Sequence, residues 1–265
     1  MTNTYTKQLA ALEVSANAVS MELTADWLQG RTGFGGWLAG LAVQAMRGVL
    51  GDEPPLRSLQ ANFVAPVPAG KVTAVAEILR QGKSVTQMEA RVFVEGKVAF
   101  VAIGIFGASR PTAVVQRAAA PSAGRMPDET QDWPYVEGFT PAYTRNFRMR
   151  WSDGGTPYTG ATHASAQIHV RPWGDVVSSE AYLVCLADAI PPSALALLSK
   201  PAMVSTINWT VELIAMPNAE EAAGWFRFDT TLTVADEGYA WQNAYIWSSQ
   251  GRLLALSRQC VAIFA

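Results

Sequence analysis

The segment GFGGWLAGLAVQAMRGVL at residues 33–50 decides the fold. Its glycines open a helix that is apolar on nearly every face, and the stop signal Asp52-Glu53-Pro54-Pro55 follows it. A second apolar segment, SEAYLVCLADAIPPSALALL at 179–198, predicts a helix that is bent or broken at Pro191-Pro192. A helix without a polar face has to be covered on several sides, so each segment needs a sheet around it.

Strand-like runs surround both helices. The predicted strands of the first half are 12–24, 56–65, 71–80, 84–94 and 98–107. Those of the second half are 143–151, 164–171, 202–214, 223–235, 239–248 and 252–264. Both halves have the same order of strands, one long apolar helix and an antiparallel meander. This repetition predicts a tandem (double) hotdog of the α+β class, with each sheet wrapped around one long central helix.

The predicted domains follow from the repetition. Residues 1–110 form an N-terminal hotdog, and residues 143–265 form a C-terminal hotdog that carries the candidate catalytic residues. Between them, 111–142 is interrupted by Pro and Gly and is predicted to be a linker. In a duplicated unit, one copy can keep polar chemistry that the other copy has lost.

Composition narrows the class of protein. Of 265 residues, 49% are hydrophobic and 16% are charged, which favours a large core. The net charge of −2 and the lack of a basic run give no support for nucleic-acid binding. The apolar stretch 98–108 is too short to span a bilayer, and the N-terminus lacks a signal-peptide pattern, so we expect a cytoplasmic protein without membrane insertion. Nine Trp and exposed sheet edges lead us to expect a homo-oligomer, a dimer or higher.

Short motifs carry a family resemblance. They are Arg31–Gly36, Gln60–Phe63, Leu186-Ala187-Asp188, Ser205-Thr206-Ile207 and Arg258-Gln259. In their order and spacing they resemble the TesB-type acyl-CoA thioesterases, which have a double hotdog fold. The resemblance implies hydrolysis of acyl-CoA to a carboxylic acid and CoA in fatty acid metabolism, without a cofactor. It also implies that an Asp, a Thr and a Gln, at Asp188, Thr206 and Gln259, orient the hydrolytic water.

The residues themselves support this role but leave alternatives open. Asp188 lies in an apolar helix, where a carboxylate is costly to bury, so it is a candidate base with a raised proton affinity. Alternatively, it caps the helix break before Pro191-Pro192 or emerges at the surface. Gln259 either faces inward, where it can accept from and donate to a water, or is exposed. Thr206 is the candidate hydroxyl; strict alternation places Asn208 and the fallback Thr210 on its face.

Alignment of the two halves points to a single site. When Gly36 is aligned with Glu180, Gln44 falls opposite Asp188. A similar alignment of the later turns sets Gly104 opposite Gln259. The first half therefore has an uncharged amide where the second half has a carboxylate, and a glycine where the second half has Gln259, which predicts one water-activating site.

The thioester oxyanion needs hydrogen-bond donors. We expect the backbone amides of Gly36 and Trp37 to serve, since they open the first helix; alternatively, the glycines only permit close packing. No metal is expected, because His163 and His169 fit surface or structural roles better than ligation. The thiols Cys185 and Cys260 are expected to be free and buried.

Two other functions remain open at this stage. One is a hotdog hydratase or dehydratase, which commonly uses a His with a carboxylate, and the other is a non-catalytic acyl-CoA-binding protein. The candidates for lining an acyl tunnel are Trp37, Phe63, Met88 and Trp209. The candidates for binding the CoA phosphates are Arg110, Arg145 and Arg258.

Overall fold

A computed structural model describes residues 4–15, 17–174 and 176–265. The helices are α1 (Tyr5–Ala10), α2 (Gly35–Leu50), α3 (Glu180–Ala187) and α4 (Ala219–Ala223). The strands of the first half are β1 (Glu13–Val14), β2 (Ala18–Leu23), β3 (Leu28–Gln29), β4 (Thr32–Gly33), β5 (Leu56–Phe63), β6 (Gly70–Gln81), β7 (Val85–Val94) and β8 (Lys97–Gly107). Those of the second half are β9 (Phe147–Gly154), β10 (Ser165–Pro172), β11 (Met203–Leu213), β12 (Phe226–Asp236), β13 (Tyr239–Trp247) and β14 (Leu253–Phe264). Short 3-10 turns lie at Ala25–Trp27, Pro127–Glu129, Ala142–Asn146 and Ser193–Leu197.

One continuous antiparallel sheet joins the two halves. Among the described residues its order is β1-β2-β6-β7-β8-β5-β11-β14-β13-β12-β10-β9, while β3 and β4 pair separately. The junction is the pairing of β5 with β11, in which Asn62 lies opposite Asn208 and Leu59 opposite Val211. This is the predicted tandem hotdog of the α+β class, and that prediction is confirmed.

The two central helices touch each other closely because α2 has glycines where they meet. A Cβ atom added to Gly36 would lie 2.4 Å from the carbonyl oxygen of Cys185. One added to Gly40 would lie 2.9 Å from the carbonyl oxygen of Ala181. Positions four apart lie on one face of a helix, so Gly36 and Gly40 together let the backbones of α2 and α3 approach.

The first helix is close to its prediction, and the second is shorter. α3 ends at Ala187, and a 3-10 turn follows at Ser193–Leu197. Pro191 and Pro192 lack a backbone N–H, so the α-helix cannot continue through them. The second half therefore surrounds a helix of 8 residues, against 16 in α2.

Other boundaries also differ from the predictions. Residues 142–146 form a 3-10 turn before β9, so Tyr143 is buried and Arg145 exposed, although alternation placed them on one side. α1 was not predicted. β12 begins at Phe226 and not at residue 223 as predicted, because α4 ends at Ala223. Ala16, in the first predicted strand run, lies outside the described residues.

The segment between the halves is largely irregular. Val114 and Val115 are 81% and 72% exposed, in keeping with a linker, although the predicted domain boundaries remain a prediction. Of the helices in the described part of the chain, none has the length and apolar run needed to cross a bilayer.

Candidate active site

Asp188 caps the C-terminal end of α3. The apolar side chains of α3 bury this helix, and Pro191-Pro192 prevents it from continuing. Because Asp188 lies at the end of the buried helix, its carboxylate is inside the fold. Ala187 and Ala189 on either side are 2% and 0% exposed, whereas Asp188 is partly accessible. Asp188 thus lies deep in the fold but keeps an opening toward solvent.

Two groups from other elements donate to the Asp188 carboxylate. Nε2 of Gln259 on β14 donates to Oδ1 at 2.5 Å, and the backbone N–H of Gly36 at the start of α2 donates as well. A Cβ atom on Gly35 would lie 2.6 Å from Oδ2, so the first turn of α2 passes directly against the carboxylate. The structure therefore brings together the start of the first-half helix with the Asp and Gln of the second half.

Burial dominates the electrostatics of the site. It raises the pKa of Asp188 to about 7, and the hydrogen bonds from Gln259 and Gly36 hold that pKa below the value burial alone would give. A carboxyl group with a pKa close to neutral pH can both accept and return a proton at that pH. This property is suited to general base catalysis.

Gln259 is held by a second amide that the sequence analysis did not single out. Nε2 of Gln242 on β13 donates to Oε1 of Gln259 at 3.0 Å. The backbone N–H of Ser193 in turn donates to Oε1 of Gln242 at 2.7 Å. Gln242 and Gln259 are 4% and 6% exposed, so the exposed alternative for Gln259 does not hold.

Thr206 shares the inner face of the sheet because β11 contains a bulge. Thr206 lies opposite Val261 and Asn208 opposite Cys260, which leaves Ile207 as the extra residue. Thr206 therefore points to the same side as Trp209, which lies opposite Gln259. The expectation that Thr206, Asn208 and Thr210 share a face is wrong. The bulge at Ile207 puts Thr206 on one face of the sheet and Asn208 and Thr210 on the other.

The contacts of Thr206 are less complete than those of Gln259. Within the described residues, no hydrogen bond involves the Thr206 hydroxyl, and the side chain is partly buried. The structure thus places Thr206 on the face of the sheet that carries Gln259, and its role stays a prediction.

The two amides proposed for the oxyanion differ. The Gly36 N–H is directed at Asp188, whereas no described residue accepts from the Trp37 N–H. The Trp37 indole is fully buried and donates to Oε1 of Gln8 at 2.5 Å. Glycines at the start of α2 thus allow close packing against α3 and also contact the carboxylate.

Of the four candidates for lining an acyl tunnel, three lie in the core and one borders the site. Trp37, Met88 and Trp209 are 0%, 0% and 1% exposed and belong to the core. Phe63 is partly exposed, and a Cβ atom on Gly35 would lie 2.8 Å from its ring. Phe63 is therefore the candidate that borders Asp188.

The equivalent place in the other half is filled. Glu180, aligned with Gly36, forms an ion pair with Arg47 at 2.7 Å and accepts from the Leu56 N–H at 2.7 Å. At Gly104, aligned with Gln259, an added Cβ atom would lie 2.5 Å from the sulfur of Met46. The Arg47–Glu180 ion pair therefore stands where the Asp188 site has the backbone amide of Gly36. The thioether of Met46 fills the space beside Gly104, the position where the Asp188 site has Gln259.

The histidines and cysteines lie away from this arrangement or are unreactive in it. His169 on β10 is buried, and burial lowers its pKa, while a backbone hydrogen bond links it to Arg125. Burial raises the pKa of the free thiol of Cys185, and Cys260 is partly buried. Over the ranges that the structure describes, no group of three His, Cys, Asp or Glu is arranged around a common point.

The candidate phosphate-binding arginines are dispersed. Arg110 and Arg258 are exposed. Arg145 lines a surface cleft of about 350 Å³, where its guanidinium lies 4.0 Å from the centre of the Tyr135 ring. The structure does not bring these three residues together.

Two family models match the sequence. The acyl-CoA thioesterase N-terminal domain matches residues 23–107, and the acyl-CoA thioesterase C-terminal domain matches residues 118–263. No curated protein matches.

Solved structures share the fold over nearly the whole chain. A conserved hot dog fold protein of unknown function from Alicyclobacillus acidocaldarius has a TM-score of 0.87 and 21% identity, covering 98% of this chain and 97% of its own. The acyl-CoA thioesterase II TesB2 from Mycobacterium marinum has a TM-score of 0.76 and 17% identity, covering 97% of both chains. The TesB protein of Mycobacterium avium subsp. paratuberculosis has a TM-score of 0.80 and 17% identity, covering 99% of this chain and 100% of its own.

Proposed function

Since the chain belongs to the acyl-CoA thioesterase family and is a thioester hydrolase, we propose that it hydrolyses acyl-CoA with Asp188 as the general base. The observation that supports this most is the position of Asp188. Its carboxylate is deep in the fold, has a pKa of about 7, and is held by Gln259 and Gly36 while remaining partly accessible. A structural carboxylate would not need an opening to solvent.

In the proposed reaction, Asp188 accepts a proton from a water molecule whose oxygen attacks the thioester carbon. Thr206 and the second N–H of Gln259 position that water, because both groups face the same side of the sheet. The carbon–sulfur bond then breaks, and CoA leaves as a thiolate. A thiolate is a good leaving group, so its departure needs no strong acid.

The carbonyl oxygen gains negative charge during the attack and needs donors. Gly36 and Trp37 remain the proposed amides, with divided roles. The Gly36 N–H already serves the carboxylate, so the Trp37 N–H, which has no acceptor among the described residues, is the better placed of the two for the oxyanion. The positive end of the α2 dipole adds to the same effect.

One catalytic site per chain follows from the filled counterpart. At the start of α3, Glu180 is aligned with Gly36, and its carboxylate is neutralised by the ion pair with Arg47. In α2, the amide of Gln44 stands at the position aligned with Asp188, so the first half has no base there. We therefore expect one acyl group to be bound in each chain, at the site built on Asp188.

The two rival functions fit the contacts less well. A hydratase using a His with a carboxylate would need His163 or His169 beside Asp188, and among the described contacts His169 instead faces Arg125 and Arg227. A non-catalytic acyl-CoA-binding protein would not need a buried base, but it could tolerate one, so activity has to decide between them.

The deciding experiment is hydrolysis of a panel of acyl-CoA substrates, from short to long chains, with CoA release measured by a thiol reagent. The Asp188→Asn variant keeps the shape of the side chain and removes the base, so we expect a loss of about 100- to 10,000-fold in kcat. Exposed Asp52→Asn is the matched control. A wild-type chain that binds but never hydrolyses these substrates overturns the proposal, and a fully active Asp188→Asn variant overturns the role of Asp188.

A further inference from the structure

We infer that Gln242 is a positioning residue of the active site, which fixes the side-chain amide of Gln259 so that its N–H group, and never its carbonyl oxygen, faces Asp188. The inference rests on the proposed function, because it assigns Gln242 a role in the reaction of Asp188. Neither the sequence motifs nor the family resemblance pointed to this residue.

Gln242 is one of the two inner members of a buried relay of hydrogen bonds that joins four residues. The relay runs from the Ser193 N–H to Oε1 of Gln242 (2.7 Å), then from Nε2 of Gln242 to Oε1 of Gln259 (3.0 Å). It ends with Nε2 of Gln259 and Oδ1 of Asp188 (2.5 Å). Two side-chain amides, one on β13 and one on β14, thus connect a fixed backbone group with the catalytic carboxylate.

The direction of the relay is fixed at its backbone end. A backbone N–H can only donate, so the atom of Gln242 that faces Ser193 must be the carbonyl oxygen. The NH₂ group of Gln242 then faces Gln259 and requires an oxygen there. Gln259 is left with its own NH₂ group toward Asp188, where an ionised carboxylate can only accept. Both ends of the relay therefore demand the same orientation of both amides.

Burial makes the orientation costly to reverse. Gln242 and Gln259 are 4% and 6% exposed, so water cannot readily replace a lost partner. Ser193 is itself anchored, because its hydroxyl lies 2.7 Å from the hydroxyl of Thr230, which donates to the Asn243 carbonyl at 3.2 Å. A flipped Gln259 would set two oxygens against each other at Asp188 and two NH₂ groups at Gln242.

The orientation matters for the chemistry of Asp188. A protonated carboxyl group donates through its O–H and would be stabilised by a carbonyl oxygen opposite it. If Gln259 were free to rotate, its Oε1 could accept from protonated Asp188 and stabilise the form that cannot act as a base. The relay prevents this rotation, so it favours the ionised form that accepts a proton from water.

The other titratable groups that face Asp188 are not expected to change charge near pH 7, so they do not obscure a shift in its pH midpoint. Cys185 on α3 and Tyr143 on the 3-10 turn before β9 both face Asp188, and burial raises the pKa of each well above neutral. From α2 and β14, the groups that meet the carboxylate are the uncharged Gly36 amide and Gln259. Asp188 is therefore the group expected to titrate in the site near pH 7.

The test is the pH profile of acyl-CoA hydrolysis in Gln242→Met, which keeps the length of the side chain but can neither donate to Gln259 nor accept from Ser193. We expect kcat to fall about 10- to 100-fold with KM changed less than about 3-fold. The pH at which kcat/KM reaches half its plateau should rise by at least about half a unit, because protonated Asp188 gains an acceptor. Ser257→Ala is the matched control, since it removes a buried hydrogen bond to Trp209 on the same sheet face (2.8 Å) without touching the relay.

Gln242→Glu keeps the shape of the native side chain and guards against a folding failure of Gln242→Met. Ionised Glu accepts from Ser193 but cannot donate to Gln259, and its negative charge also opposes ionisation of Asp188. The pH midpoint is therefore expected to rise further than in Gln242→Met, and the uncharged Met variant isolates the effect of orientation. If both variants lose stability or activity while the pH midpoint stays unmoved, Gln242 only supports the core and the inference is overturned. An inactive wild-type chain would instead overturn the proposed function, so the two failures are distinguishable.

Discussion

Nε2 of Gln259 lies 2.5 Å from Oδ1 of Asp188, although the two residues are 71 positions apart in the sequence. This bond joins the last strand of the chain to the end of the short helix α3. It partly offsets the effect of burial on the carboxyl group, so the pKa of Asp188 settles at about 7 and not higher. The properties of the site thus depend on how β14 is aligned with α3.

The first prediction concerns the pH dependence of the wild-type enzyme. Because the ionised form of Asp188 is the base, kcat/KM should be low below pH 6, rise through a midpoint near 7 and reach a plateau above it. Initial rates of acyl-CoA hydrolysis between pH 5 and 9 measure this midpoint. A rate that is already maximal at pH 5 would show that a group with an ordinary carboxyl pKa, or none, limits the reaction.

The second prediction is a stability change with a defined sign. The folded-state pKa of Asp188 is raised above its unfolded value, so between about pH 4 and 7 the folded chain binds a proton that the unfolded chain releases. The group therefore lowers stability as pH rises across that window. Asp188→Asn should be more stable than wild type by on the order of 4 kcal/mol at pH 8 and similar to it at pH 4. Urea unfolding at both pH values tests this, and an equal difference at the two would contradict it.

The third prediction uses the bulge at Ile207, which separates two threonines that strict alternation would place together. Thr206 faces inward with Gln259, and Thr210 points to the other face of the sheet. Thr206→Val should lower kcat about 10- to 100-fold if its hydroxyl positions water, whereas Thr210→Val should leave kcat within about 2-fold. A larger loss in Thr210→Val than in Thr206→Val would reverse the assignment. Steady-state kinetics of the two variants decide the matter.

The sequence was sufficient to predict the apolar helix α2, the duplication and the identity of Asp188 and Gln259 as candidates. The helix and the duplication are patterns of residue types that a sequence shows directly. Asp188 and Gln259 became candidates through the resemblance to the TesB-type thioesterases, which their apolar surroundings in the sequence supported. The fold followed because two helices without polar faces each require a sheet around them.

The sequence could not predict which face of the sheet Thr206 occupies or which residue lies opposite Gln242. Both depend on β-bulges, which shift the pairing of two strands by one residue. Counting outward from Gln250, the middle of the predicted hairpin turn, would pair Gln242 with Arg258. The observed register places Gln242 opposite Gln259, because a bulge lies between Ile246 and Trp247. A one-residue slip turns every side chain to the other face, so the relay through Gln242 was invisible without the register.

The fourth prediction concerns Gly35, whose missing side chain leaves room for the carboxylate. A Cβ atom there would lie 2.6 Å from Oδ2 of Asp188 and 2.8 Å from the Phe63 ring. Gly35→Ala should displace Asp188 and reduce kcat/KM by about 100-fold, with a smaller effect on stability because the added Cβ meets the ends of side chains, which can move, and not the backbone. Gly33→Ala is the control, since its Cβ would meet the Leu23 side chain at 2.7 Å and not the carboxylate. Equal losses of activity in both variants would mean that general disturbance of the α2 start explains the effect.

The fifth prediction tests the contact between the two central helices. A Cβ atom on Gly40 would lie 2.9 Å from the Ala181 carbonyl oxygen and 1.9 Å from the Tyr5 hydroxyl, so α3 and α1 would both have to move. We expect Gly40→Ala to lower the free energy of unfolding by about 1–3 kcal/mol, since overpacking outweighs the gain in helix propensity.

Gly48 provides the matched comparison on the same helix. It is exposed, and an added Cβ atom would have Val19 as its neighbour at 3.9 Å, an ordinary contact. Gly48→Ala should therefore raise the free energy of unfolding by about 0.5–1 kcal/mol, because Ala loses less conformational freedom than Gly on folding. Two identical substitutions eight positions apart in α2 should thus have opposite signs in urea unfolding. If both variants are stabilised, the helices can separate without cost, and the close backbone approach at Gly40 does not hold the halves together.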